Sequence, residues 1–304
     1  MKIGLIDVDG HNFPNIALMK ISAWQKEQNH HVEWCDGLSH YDVVFMSKVF
    51  DFSPDWTQCI NADIVIRGGT GYGIENDHPL PYHIEHSYPD YSLYNITDTA
   101  YGFLTRGCPR HCPFCIVGDK EGTKSVKVAD LSEFWNGQRN IVLCDPNILA
   151  CTDWEDLLLQ LARSEAVIDI NQGLDARLMT EGKARLLGEI KMKEIHFAWD
   201  RYEERDKVLA GIDTYMRHAA RKPSQHNIIC YTIVNFDTDI SQDLDRIYTL
   251  RDMGVWAYVM VYDKPNAAPI YKRLQRWVNN RFVFAKCEKF EDYLDGGVKS
   301  TAVI

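Results

Sequence analysis

The chain has no apolar run approaching the roughly 18–20 residues that cross a bilayer; its longest, such as IVLC at 141–144, are far shorter. No membrane association is therefore expected. It also lacks a basic excess, with 33 Lys and Arg against 43 Asp and Glu and a net charge of −10. Proteins that grip nucleic acid through phosphates carry the opposite balance, so a polynucleotide partner is disfavoured, although a local basic groove can sit on an acidic body. A secretory leader is not expected either. MKIGLIDVDG runs straight into a strand-like stretch that is too short and too soon acidic, which predicts a cytoplasmic protein. Tandem repeats and low-complexity tracts are absent as well.

What the chain does have is the composition of a globular protein, 45% hydrophobic and 25% charged over 304 residues. That is room for one large domain or two modest ones. Residues 1–75 alternate strand and helix patterns. Strands are predicted at 2–7, 31–34, 41–47 and 63–69, with a helix over 14–27 that opens on Pro14 and a shorter one near Ser53-Pro54. This alternation predicts a small open parallel sheet of Rossmann or flavodoxin type. Residues 76–100, rich in Gly, Pro, Tyr and His, read as a linker or lid.

From 101 to 265 six strand-then-helix units follow, with strands at 101–105, 140–144, 166–170, 194–199, 227–234 and 255–262. Helix starts are predicted from a Thr152–Glu155 capping box, from Thr180, and from Asp237, Thr238 and Asp239. Six such units predict a partial (β/α)6 barrel of TIM type, with functional loops at the C-terminal ends of its strands. The fold class is thus α/β. Residues 266–304 carry an amphipathic helix (Ile270, Leu274, Trp277, Val278) expected to close the open barrel edge.

Nine cysteines in a cytosolic chain point to metal ligands or reduced core residues rather than disulfides. Cys35, Cys59, Cys144, Cys151, Cys230 and Cys287 are scattered and read as buried small hydrophobes, with Cys144 and Cys151 the nearest pair for any second cluster. Cys108, Cys112 and Cys115 are packed into eight residues directly after the first barrel strand. Thiolates at that spacing can ligate three irons of a cubane and leave the fourth iron open. A structural zinc ion would need a fourth ligand, and His111 lies inside the tight loop, where tetrahedral geometry is poor.

The spacing Cys-x3-Cys-x2-Cys, with Phe114 before the last cysteine and six β/α units around it, resembles the radical S-adenosylmethionine (SAM) superfamily. The resemblance covers about 101–265. It implies a 4Fe–4S cluster on Cys108, Cys112 and Cys115 whose open iron binds SAM, cleavage to a 5′-deoxyadenosyl radical, and hydrogen abstraction from a small-molecule or peptide substrate. It also implies that the chain is an oxidoreductase served by a reductant such as flavodoxin or ferredoxin. Carried over position by position, it places Phe114 against adenine, and Asp145 or Asn147 where the superfamily has its Gly-Gly-Glu-like stretch. Gln172, Asp175 and Arg177 would face ribose and the SAM carboxylate. The alternative for that loop is a solvated loop with a helix cap; Asp200, after the fourth strand, is similarly placed or a simple N-cap, and Asn235, after the fifth, falls where the superfamily packs the adenine.

In the first domain, Asp9-x-His11, Ser47 and Gly68-Gly69 resemble the motifs of cobalamin-binding domains, whose His ligates cobalt. Pro14 stands where the loop glycine should be, and the domain is short for a corrin. A cobalamin-free relic is expected, with Asp9 and His11 capping the following helix at 13–16. Two other readings compete with hydrogen abstraction: cobalamin-dependent methyl transfer, and a non-catalytic metal-binding or interaction protein.

Overall fold

The computed structural model describes residues 1–10, 12–76, 78–224 and 227–295. The chain is mixed α/β with parallel sheets, and it divides into two compact units, Met1–Ala166 and a second beginning at Val167. That division falls inside the stretch expected as one barrel.

The first unit opens with β1 (Lys2–Asp7), α1 (Ile16–Glu27), β2 (His31–Trp34), β3 (Tyr41–Ser47) and β4 (Ala62–Gly68). The strands form a parallel sheet of order β2-β1-β3-β4. The inner strands β1 and β3 read as apolar runs because both faces are covered, whereas the edge strand β4 leaves Ile64 and Ile66 exposed. Ile3 and Leu5 meet Leu18, Ile21 and Ile84 on one side. Ile6 packs with Tyr41, Val44 and Met46 on the other. Each fully buried aliphatic here contributes roughly 1.5–3 kcal/mol. Helix α1 starts two residues later than Pro14 suggests, because Asn15 caps it: the side-chain oxygen accepts from Leu18 N at 3.1 Å. No helix forms at Ser53-Pro54; Ser53 instead donates its hydroxyl to Asp9 at 2.6 Å.

The stretch 76–100 is more structured than a linker. It holds α2 (Tyr82–Glu85) and a 3-10 turn at Tyr91–Tyr94, and the buried Tyr91 donates its hydroxyl to Phe134 O at 2.6 Å. Next come β5 (Thr99–Gly102), β6 (Thr105–Arg106), α3 (Val117–Glu121), β7 (Val126–Lys127), β8 (Asn140–Leu143) and α4 (Trp154–Ser164). Strands β5 and β8 are parallel, whereas β6 and β7 form a short antiparallel pair. The expected Thr152–Glu155 box is not made: Asp153 occupies the cap position, and Thr152 donates to its carboxylate at 3.1 Å.

The second unit contains β9 (Val167–Ile170), α5 (Glu181–Leu187), β10 (Lys191–Met192), β11 (Ile195–Ala198), α6 (Arg205–His218), β12 (Ile228–Val234), α7 (Ile240–Asp252), β13 (Trp256–Val261), α8 (Pro269–Asn279), α9 (Arg281–Lys286) and α10 (Phe290–Leu294). Strands β11, β12 and β13 are parallel neighbours in that order. Thr180 and Asp239 cap α5 and α7 as predicted, Asp239 with Gln242 in a full capping box. Helix α8 buries Leu274, Trp277 and Val278 and covers the free edge of β13. Its Asn279 accepts from Val259 N at 2.8 Å, and Asn279 and Gln275 both donate to Val259 O at 3.0 Å. Two amides thus stand in for an absent strand.

Candidate functional site

The cysteine loop is stapled at its base. After β5 the chain bends through Phe103 and Leu104, and the Asp145 carboxylate holds that bend. It accepts from Leu104 N at 3.0 Å and from Thr105 N and Oγ1 at 2.6 Å each. Asp145 is fully buried, and burial pushes its pKa up to about 6. At the other end, Glu121 of α3 pairs with Arg106 at 2.9 Å and accepts from Gly107 N at 3.2 Å. Cys108 N then donates to Gly122 O at 3.1 Å. Gly107 has φ +82°, and a Cβ there would overlap the Lys124 carbonyl oxygen, so only glycine fits. Arg106 lies 3.6 Å over the Phe103 ring.

Between those staples run Cys108, Cys112 and Cys115. The first two are partly buried and the last is exposed. A turn from Cys115 N to Cys112 O at 2.9 Å closes the loop's tip, and His111 sits at a positive φ of 26°. Asn147, nearly buried, donates Nδ2 to Cys108 Sγ at 3.5 Å, and its carbonyl accepts from Ser125 Oγ at 2.8 Å. Phe114 is half-buried beside them. Among the described residues no group of three or more His, Cys, Asp or Glu side chains is assembled to hold a metal ion. By donor chemistry, three soft thiols and a buried N–H aimed at one sulfur fit an iron–sulfur cluster. Glu121, Thr105 and Ser125 were not singled out from sequence. Their roles depend on partners up to 40 residues away, which no local pattern signals.

Of the scattered cysteines, Cys151, Cys230 and Cys287 are buried as expected, Cys35 and Cys144 are partly so, and Cys59 is exposed. That corrects the reading of Cys59 as a core residue.

In the second unit, Asp175 caps a 3-10 turn at Ala176–Leu178 and accepts from Arg177 N at 3.2 Å and Nε at 2.7 Å. Arg177 also pairs with Glu204, and these anions hold the guanidinium firmly charged. Gln172 is exposed. Asp200 does not cap a helix. It accepts from Ile233 N at 3.3 Å, and its burial raises its pKa to about 6. Arg246, fully buried with Asp243, donates to Trp199 O and Asp200 O at 2.8 Å and to Ile233 O at 2.7 Å. It thereby ties the ends of β11 and β12 together. Asn235, at φ +64°, donates to Tyr262 O at 3.0 Å. The structure therefore brings Asp175 with Arg177, and Asn147 with Cys108.

Near the start of the first unit, Asp9 does not cap α1. Its carboxylate accepts from Phe50 N at 3.2 Å and Val49 N at 2.5 Å, on the loop after β3. Ser47 accepts from Asn15 Nδ2 at 2.8 Å, and Asp7 accepts from the Tyr94 hydroxyl at 2.7 Å. His11 lies outside the described residues.

No protein-family model matches the chain, and none of the curated proteins does. Solved structures share its fold, and one of them covers most of the chain. It is a radical S-adenosylmethionine methyltransferase, TsrM, from Kitasatospora setae, with cobalamin and a [4Fe-4S] cluster bound. At 10% sequence identity the likeness covers 86% of this chain and 74% of that one, with a TM-score of 0.58. The likeness is one of fold. No helix among the described residues is long and apolar enough to cross a membrane.

Proposed function

We propose that the chain is a radical SAM enzyme, with Cys108, Cys112 and Cys115 holding a 4Fe–4S cluster. The observation that carries this is the three-thiol loop clamped at its base by Asp145 and Glu121, and the shared fold supports it. A cluster held there would supply the electron that cleaves SAM to methionine and a 5′-deoxyadenosyl radical. Asp145 fixes where the loop begins, Glu121 fixes its return, and Asn147 donates to a ligating sulfur. Phe114 remains the proposed adenine contact. Gln172, Asp175, Arg177, Asp200 and Asn235 remain proposed contacts of SAM. The partial barrel over 101–265 and the flavodoxin-like first domain belong to the same reading. The order β2-β1-β3-β4 supports the latter, since flavodoxin-like sheets run 2-1-3-4-5. Anaerobic protein given SAM and a reductant should release 5′-deoxyadenosine; iron-loaded protein that releases none overturns the proposal.

A second reading, cobalamin-dependent methyl transfer, is favoured by the fold likeness to a cobalamin-bound methyltransferase. Against it, Ser47 and Asp7, at the C-terminal ends of β3 and β1, are already bound by Asn15 and Tyr94. Titration with hydroxocobalamin separates the two. Stoichiometric binding with a spectral change favours methyl transfer, and none favours hydrogen abstraction without a corrinoid.

A further inference from the structure

The first unit's four-stranded sheet ends at β4, which is paired with β3 alone. A flavodoxin-like sheet continues beyond that edge with a fifth strand; here the chain leaves β4 for a 3-10 turn at Thr70–Tyr72. The ladder decides which groups the edge offers. Tyr41 N donates to Asn61 O, and Tyr41 lies opposite Ala62. In a parallel pair the bonding groups belong to alternate residues. Asp63, Val65 and Arg67 therefore turn their backbone towards β3, and Ile64 and Ile66 turn their amides and carbonyls outward. No other group among the described residues takes these.

The side chains of the edge are open as well. Ile64 is 54% exposed and Ile66 46%, beside the half-buried Val43 and Phe45 of β3 on the same face. An edge with exposed isoleucines is a template for another strand unless something blunts it, and charge is the usual device. Strand β4 carries one charge of each sign, Asp63 and Arg67, two residues either side of Val65 and on the face opposite the isoleucines. The Asp63 side chain is 64% exposed and gives only Oδ1 to His40, at 3.1 Å. Arg67 is exposed and makes no hydrogen bond or ion pair among the described residues.

We propose that the chain forms a two-fold dimer through β4, the second copy supplying the strand that the sheet lacks. Two β4 strands set antiparallel about an axis at Val65 bring every feature into match. Ile64 of each copy faces Ile66 of the other, and the two exchange their outward amide and carbonyl bonds. Asp63 of each copy faces Arg67 of the other in a non-hydrogen-bonded pair, where side chains approach most closely. A shift of one residue would put the isoleucines of the two copies on opposite faces. A shift of four would set like charge against like. The charges thus select one register of self-pairing, as an isologous interface requires. The proposal concerns the first unit alone and does not rest on the radical SAM reading.

The test is sedimentation velocity on full-length protein reconstituted anaerobically with iron and sulfide. An interface of one strand a side falls in the small, weak class, so dimer should replace monomer between about 1 and 200 µM. Asp63→Arg sets like charge opposite Arg67, and Arg67→Asp sets like charge opposite Asp63. Each variant alone should dimerise at least about 10-fold more weakly. Mixed in equal amounts, the two should associate as the wild type does, because each strand then carries the charges the other needs. The doubly reversed chain restores both pairs within one sequence and should also dimerise; it decides the case if either single variant is unstable. Both side chains are exposed, so the variants should keep the wild-type circular dichroism and melting temperature. A wild type that stays monomeric over this range, a dimer that both reversals leave intact, or a failure of both the mixture and the doubly reversed chain to associate overturns the proposal.

Discussion

The carboxylate of Asp145 accepts both the amide and the hydroxyl of Thr105, each at 2.6 Å, and does so with no exposure to solvent. These two residues join the end of β8 to the chain entering the cysteine loop, across 40 residues of sequence. A carboxylate used in this way sets where the thiols begin, and its charge is met by the Thr105 hydroxyl and two backbone amides, with the Arg106 guanidinium nearby.

Removing that carboxylate leaves two buried amides and a hydroxyl without an acceptor. Asp145→Ala should cost about 2–5 kcal/mol, from an unmet desolvation penalty on each. Thr105→Val, which keeps the β-branched shape and removes one donor, should cost about 1 kcal/mol. Denaturant titration measures both, and iron retention after anaerobic reconstitution should fall in the same order. Equal stability of Asp145→Ala and wild type would remove the clamp from the account.

The cysteines should separate cleanly. Cys108→Ala, Cys112→Ala and Cys115→Ala should each abolish the broad iron–sulfur absorbance near 400 nm. Cys59→Ala, at an exposed position of the first unit, and Cys287→Ala, buried in the second, should leave it intact. Stoichiometric zinc with no iron after anaerobic preparation would defeat the cluster assignment.

Hydrogen bonds to a ligating sulfur stabilise the added electron of a reduced cluster. Asn147→Leu removes the N–H aimed at Cys108 Sγ and should shift the cluster's midpoint to a more negative potential without loss of iron. A reductive titration followed by electron paramagnetic resonance reads this directly.

Arg177 is held by Asp175 and Glu204. Arg177→Ala should destabilise the second unit by about 1–3 kcal/mol, because both acids lose their charged donor, and should weaken SAM binding if Arg177 also meets the SAM carboxylate. Unchanged SAM affinity in the folded variant confines Arg177 to a structural role.

Asp200 binds its proton more tightly in the folded chain than in the unfolded one, since burial raises its pKa from 3.8 to about 6. Stability from this group is therefore greatest below about pH 4 and is lost as pH rises towards about 6, by at most about 3 kcal/mol. Asp200→Asn should flatten that part of the stability–pH curve while keeping a carbonyl acceptor for Ile233 N. An unaltered slope between pH 4 and 6 would show that the carboxyl titrates normally.

Much of this was legible in the chain itself. The strands at 2–7, 31–34 and 41–47 are those of β1, β2 and β3, and the later strands fall within a residue or two of their predicted ends, except the first. Short apolar runs, Thr180 and Asp239 at helix starts, and the cysteine spacing are local signals, written in residues close along the chain. That first strand breaks because Asp145 draws Leu104 and Thr105 aside, a contact no local pattern encodes. Asp9 turned to Val49 and Phe50 rather than to α1, and the order of the sheet made β4 an outer strand with Ile64 and Ile66 exposed. Which polar atom meets which depends on long-range packing and rotamer choice. Sequence determined the elements and the thiol motif, and the tertiary structure alone decided how the buried charges were spent.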